Sequence, residues 1–303
     1  MMTESPAAAS VAAATAADEL SKSFGANHVL DRLSLAVPPG TMLGLIGANG
    51  SGKTTLLQCL VGLLRPTAGT ARVFGQSSLD LSSETRSRLG YVPQSPDLPP
   101  WLTVQKTAAY FAAMQPRWDA GYADDLIRRW HLDPKTRVGQ LSGGRRQLLS
   151  ILVALAHRPS LIVMDEPVAS LDPRMRRDVL SVLQEQSDAA EQNDEPVTVI
   201  LSSHLMSDLE RAASHVAILR EGRLALFEDL ADLKESIIRL RISSGDPLPP
   251  PPLDAITLMH EGGTVVATIR QPTEPHWRDW ARSHEATVLA DHLSLDDLFV
   301  ELA

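Results

Sequence analysis

The chain has one cysteine, Cys59, among its 303 residues. It cannot close an intramolecular disulfide, which suits a reducing cytoplasm. Set in an apolar stretch, it reads as a core thiol, because free Cys behaves as a small hydrophobe. No run approaches the roughly 18 apolar residues that a membrane-spanning helix needs. Work at a membrane would therefore go through a partner. Basic residues are not in excess: 28 Lys and Arg against 37 Asp and Glu give a net charge of -9. That speaks against nucleic acid as the main partner, since neutralising phosphates needs a basic face. The Ala-rich start has neither a basic opening nor a Leu-rich centre. It is a poor signal peptide, and residues 1–17 read as a flexible tail. Aromatics make up only 4% of the chain.

What is present centres on Gly47-Ala48-Asn49-Gly50-Ser51-Gly52-Lys53-Thr54-Thr55. The stretch fits G-x-x-x-x-G-K-[ST], between an apolar run, Met42–Ile46, that reads as a buried strand and a following helix over Thr55–Val61. Its glycines let the backbone curl, so that successive N–H groups point inward at a phosphate chain. The helix start adds partial positive charge. Lys53 is placed to reach the terminal phosphates, and Thr54 to offer its hydroxyl to Mg²⁺. The pattern specifies a nucleoside triphosphate but not the use of its energy.

From Glu19 to Thr41 the pattern reads strand, turn, strand. Phe24, just before the turn, either stacks on a nucleobase or plugs a strand end. Thr67–Thr70 reads as a turn and Ala71–Gly75 as a short strand. Leu89–Val92 is another strand, ending at Pro93-Gln94; the Pro-rich run Ser95–Pro100 then excludes regular structure. Gln94 is either a surface amide or a polar group aimed into a site. Helical periodicity takes over from Thr103 to about His131, and no strand is expected between Trp101 and about Pro159. The aromatics here read as core. Ser142 is a natural N-cap, and Gly143-Gly144 beside a helix start makes a second anion-seeking element.

Leu161–Met164 is a short apolar run that reads as a parallel strand buried on both faces. Asp165 and Glu166 stand at its C-terminal end, where α/β folds place ligands. Asp165 suits a water-bridged hold on Mg²⁺, and Glu166 suits a base that activates water. Ser170-Leu171-Asp172-Pro173 turns into a helix. Val197–Leu201 is one more buried strand, ending at Ser202-Ser203-His204, where His204 is a candidate contact for a γ-phosphate.

In their order and spacing, Gly47–Thr54, Gln94, Leu141-Ser142-Gly143-Gly144, Asp165-Glu166, Ser170-Leu171-Asp172 and His204 resemble the nucleotide-binding subunit of ABC transporters. They are similar to that family's Walker A, Q-loop, signature, Walker B, D-loop and H-loop. The resemblance implies an α/β P-loop NTPase cassette over residues 18–235. Its parts would be a parallel-sheet core, an antiparallel β subdomain and a helical subdomain at about 95–159. It implies ATP and Mg²⁺ as cofactors. Phe24, Gly47, Asn49, Gly50, Ser51, Gly52, Lys53, Thr54 and Thr55 would surround the nucleotide. Thr54, Gln94 and Asp165 would serve the metal, and Glu166, His204, Gln94 and Lys53 the hydrolysis.

The same resemblance implies a head-to-tail homodimer. Ser142, Gly143 and Gly144 of one subunit would complete the other's site, with Asp172 along the seam. An integral membrane permease would dock on Gln94–Met114 and hold the cassette on the inner, cytoplasmic face of the membrane. Pro116-Arg117-Trp118-Asp119 and Ser294–Phe299 resemble exporter-type, ABC-2-like subunits. A soluble ABC ATPase acting on ribosomes or DNA is the alternative. Ribosome-acting relatives usually carry two cassettes and DNA-repair relatives a long coiled-coil insert, whereas this chain has one cassette and no long heptad run. Two departures stand out: Val168 where Thr is common after Glu-Pro, and Arg145 where Gln often follows the signature glycines.

Residues 236–303 read as a small accessory α/β domain. Strands are expected at Ile237–Ile242 and Thr264–Ile269, and helices at Glu274–Ser283 and Ser294–Leu302. Asp246–Pro252 reads as a stiff linker or loop.

Overall fold

The computed structural model describes residues 13–191, 195–244, 248–249, 251, 254–261, 264–270 and 276–302. The chain divides after Phe227 into two units, rather than at the expected boundary of 235/236.

The first unit opens on a hairpin of β1 (Thr15–Phe24) and β2 (Asn27–Val37). β3 (Met42–Gly47) follows with all six residues buried, and leads through the glycine-rich loop into α1 (Lys53–Leu60). β4 (Ala68–Val73) and β5 (Gln76–Ser77) return to the hairpin and close an antiparallel sheet of order β2-β1-β4-β5. Two expectations are corrected here. The tail does not extend to residue 17: Ala14 and Thr15 are each 1% exposed, because β1 pairs on one side with β2 and on the other with β4. Alanines carry little strand propensity, so this two-sided pairing left no mark in the sequence. Residues 1–12 of the proposed tail lie outside the described residues. The turn expected over Thr67–Thr70 is instead mostly strand, since β4 starts at Ala68 and passes an irregularity opposite Asp18–Ser21.

Next come α2 (Ser83–Ser87), β6 (Leu89–Val92) and three helices: α3 (Val104–Ala112), α4 (Ala120–Arg129) and α5 (Gly143–Leu155). Thr103, Asp119 and Ser142 cap these helices, each accepting a backbone N–H three residues on. Then β7 (Leu161–Asp165), α6 (Pro173–Glu191), β8 (Thr198–Ser202), α7 (Met206–Ala212), β9 (His215–Arg220) and β10 (Arg223–Asp229) complete a six-stranded sheet of order β10-β9-β3-β8-β7-β6. The pairings from β9 through β6 are parallel. β3, β7 and β8 are buried along their whole length, as continuous apolar strands in the middle of a covered parallel sheet must be.

α1 belongs to a core shared by both sheets. Leu56, Leu57, Cys59 and Leu60 meet Leu20, Leu33 and Leu35 from the antiparallel sheet and Leu43, Leu45 and Val163 from the parallel one. Each buried leucine contributes about 2 kcal/mol of apolar transfer, which fixes the helix start just after the loop. Cys59 is fully buried, and burial pushes its thiol up to about 11, an inert core thiol. The helical region is tied to α6 by Arg129, which donates to both Asp178 and Glu185, and by Trp130 Nε1, 2.8 Å from Asp178 Oδ2.

His157, just past α5, is 2% exposed, with Nε2 3.1 Å from Leu89 O. Burial lowers its pKa below 6.5 against the opposing effect of that bond. The unfolded chain therefore takes up this proton more readily than the folded one. The stability in question is complete above a pH of about 6.5 and is lost as pH falls through the folded-state value. Thermal melting of wild type and His157→Gln across pH 7.5 to 5 tests this, with a shallower acid-side fall in Tm expected for the variant. Parallel slopes would exclude His157 as the cause.

In the second unit, α8 (Leu230–Ser236) precedes β11 (Ile237–Ser243), β12 (Ala255–Glu261), β13 (Thr264–Arg270), α9 (His276–Ser283), β14 (Thr287–His292) and α10 (Leu295–Leu302). The strands form an antiparallel sheet of order β12-β13-β11-β14. Ile238, Leu240 and Ile242 alternate on one face with Val265, Ala267 and Ile269 beside them, and Trp277 and Ala281 of α9 pack on that face. The Asp246–Pro252 expectation falls largely outside the described residues.

Candidate active site

Sheet order decides which loops meet. β8 lies between β3 and β7, and Leu45, Ser202 and Asp165 stand in one row across the three strands. The glycine-rich loop after β3, the acidic pair at the end of β7 and the histidine after β8 therefore leave the sheet side by side. This is the C-terminal edge at which parallel α/β sheets bind ligands.

The loop is shaped by close backbone approach. Gly52 caps α1 with φ at 103°, and a Cβ there would lie 2.8 Å from Leu30 Cδ2 and 2.9 Å from Val29 O. Only glycine meets both demands. Asn49, Gly50 and Thr54 are exposed, Thr55 is half-buried, and Ser51 and Lys53 are buried. Lys53 Nζ folds back to donate to Gly47 O at 2.7 Å and to Ala48 O at 3.2 Å. Burial lowers its pKa, against the opposing charges of Glu166 and Asp165. A polyanion in the loop would favour the charged ammonium and replace those carbonyl contacts.

Asp165 is 1% exposed. Its Oδ1 accepts from Ser202 Oγ at 2.8 Å, while Oδ2 is buried without a hydrogen-bond partner among the described residues. A buried carboxylate oxygen left free in this way fits a hard cation, directly or through water. Glu166 stands in the left-handed region at φ 48°, and its N–H donates to the same Ser202 Oγ at 2.9 Å. His204 Nδ1 donates to Glu166 Oε2 at 2.7 Å, which leaves Nε2 for another partner. Gln94 is exposed two residues beyond β6, the strand next to β7. Phe24, at the end of β1, is 52% exposed and has Lys22 Nζ 4.8 Å from its ring centroid.

A second cluster forms around the start of α5. Ser142 and Gly143 are exposed, and Ser142 Oγ accepts from Arg145 N at 3.4 Å. A Cβ on Gly144 would touch Ser170 O at 3.2 Å, so this turn packs on the one that leads into α6. Asp172 accepts the N–H groups of Arg174 and Met175 at 2.9 and 3.0 Å, and so caps α6. A cleft of about 860 Å³ opens here, lined in part by Ser142, Gly144, Asp172, Arg145, Arg174 and Arg177. Among the described residues no hydrogen bond joins this cluster to the glycine-rich loop. The chain thus brings Gly47–Thr54, Asp165, Glu166 and His204 to one edge, and holds Ser142, Gly144 and Asp172 as a separate group.

A family model described as ABC transporter matches residues 30–169. Nod factor export ATP-binding protein I of Paraburkholderia xenovorans is 34% identical over 211 residues, spanning 68% of this chain and 67% of that protein. This chain belongs to the ABC transporter family. The protein of the same name from Rhizobium etli is 30% identical over 297 residues, which cover 94% of this chain and 91% of that protein. A solved structure described as the ATP binding subunit of an ABC transporter matches with a TM-score of 0.65 at 27% identity, over 73% of this chain and 92% of that one. The fold is the ABC cassette, and the chain is an ATP-hydrolysing subunit of an ABC transporter that uses ATP. Among the described residues no helix is long and apolar enough to cross a membrane. The sequence alone does not point to one residue of this candidate site: Ser202, whose hydroxyl joins Asp165 to Glu166. Only its register opposite Asp165 reveals it.

Proposed function

We propose that two copies of this chain bind head to tail, each holding ATP between its own glycine-rich loop and the Ser142–Gly144 turn of the other. A single observation carries the reading. The chain bears two anion-seeking elements, and within one copy they stand as separate clusters. Two nucleotides shared between two copies satisfy all four. ATP then stabilises the dimer by mass action, and loss of the γ-phosphate weakens the seam.

Within each site the loop amides and Lys53 hold the β- and γ-phosphates. Phe24 stacks on the adenine, while Asn49, Ser51 and Thr55 line the phosphate side. Thr54, Asp165 and Gln94 are the residues that would hold Mg²⁺, and Asp165 Oδ2 fits this best because it has no hydrogen-bond partner among the described residues. When bound, Mg²⁺ offsets the charge of the phosphate oxygens. Glu166 orients the attacking water and takes its proton as oxygen bonds to the γ-phosphorus and ADP leaves. His204 holds Glu166 through Nδ1, and Nε2, when it also carries a proton, donates to the γ-phosphate. Gln94 links this site to the helical region, and Asp172 lines the seam.

The dimer drives a separate integral membrane permease on the cytoplasmic face of the membrane, in the direction of export. The exporter reading is supported by the similarity to Nod factor export ATP-binding proteins. Its test is recovery of the tagged full chain from detergent-solubilised membranes. An integral membrane protein is expected alongside it, and should stimulate ATP hydrolysis when both are placed in vesicles. Recovery with ribosomes or DNA instead would overturn the transport assignment.

A further inference from the structure

We propose that Ser202 is a positioning residue for hydrolysis, whose hydroxyl sets Asp165 towards the metal and Glu166 towards water. This rests on the reading of Asp165 as a metal-holding residue and Glu166 as the base. Ser202 ends β8, is fully buried, and pairs directly across the sheet with Asp165. A hydroxyl has one proton to donate and two lone pairs to accept with. Here the proton goes to Asp165 Oδ1 at 2.8 Å, and one lone pair takes the N–H of Glu166 at 2.9 Å. The first bond fixes the rotation of the carboxylate and leaves Oδ2 without a hydrogen-bond partner among the described residues. The second holds the backbone of Glu166 at φ 48°, a conformation that non-glycine residues keep only where their surroundings enforce it.

Burial alone does not demand a hydroxyl at this place. The preceding β8 residues Val199, Ile200 and Leu201 are as buried and apolar. One atom contacting both members of the acidic pair is the kind of support that orients a metal-binding group from behind. Alanine here would leave Asp165 Oδ1 and the Glu166 N–H without their partner in a buried site.

The test compares full-length Ser202→Ala, Ser202→Thr and Ser202→Cys with wild type and Asp165→Asn. Mn²⁺ binding to the ATP-loaded protein is read by electron paramagnetic resonance, and ATP affinity is measured separately in EDTA. Ser202→Ala is expected to weaken Mn²⁺ binding about tenfold, raise the metal concentration for half-maximal hydrolysis in step, and leave metal-free ATP binding unchanged. Ser202→Thr keeps the hydroxyl and should restore metal binding. The near-isosteric Ser202→Cys carries the test should alanine disturb folding, and is expected to show the same loss. Wild-type Mn²⁺ binding in Ser202→Ala or Ser202→Cys, alongside a loss in Asp165→Asn, would overturn the inference. Should Asp165→Asn also bind Mn²⁺ like wild type, the metal role of Asp165 fails and the proposal fails with it.

Discussion

Glu166→Gln is expected to lower the turnover of ATP by about 100-fold or more, with ATP affinity close to that of wild type. The substitution preserves shape and the contact with His204 while removing the charge that accepts a proton from water. Glu166 is placed for that role by three constraints rather than by its own flexibility. Its backbone is held at φ 48°, its N–H is bound to Ser202, and its side chain is bound to His204. Single-turnover phosphate release separates chemistry from nucleotide exchange. Turnover within a few-fold of wild type would remove Glu166 from the hydrolytic step.

Gly143→Ala is expected to reduce hydrolysis by at least about 100-fold, with no loss of stability. In the single copy, a Cβ at Gly143 meets nothing within 4 Å, and its φ is not in the left-handed region. Alanine also favours the helix that begins there, by up to about 1 kcal/mol relative to glycine. The isolated chain should therefore keep its Tm and bind ATP as before. Harm arises only if another molecule's phosphates come up against this backbone. Full activity in the variant would mean that no phosphate approaches the start of α5. Gly144→Ala would be a poorer probe, because a Cβ there already crowds Ser170 O at 3.2 Å.

The candidate site was legible because its parts are local. The run Gly47–Thr54 is a contiguous backbone trap, Asp165-Glu166 ends an unbroken apolar strand, and Ser142 caps a helix in the expected way. The architecture around them followed from the same apolar runs. What escaped was long-range or weakly patterned. β1 starts at Thr15 because partners flank it on both sides, which the string Thr15-Ala16-Ala17 does not announce. β12 and β14 carry exposed apolar residues such as Met259 and Leu289 among polar ones, so their alternation is blurred. α8, with only seven residues, is too short for a periodic signal and stands on its Asp229 cap. Ser202 could be placed only once the register of β7 against β8 was known.

The central claim is that ATP joins two copies of the chain. Sedimentation velocity of full-length Glu166→Gln, with and without ATP, tests it most directly. The expected result is a nucleotide-dependent shift from one copy to two, abolished when Gly143→Ala is added. A chain that stays single at saturating ATP, alone and with its permease in detergent, would contradict the account.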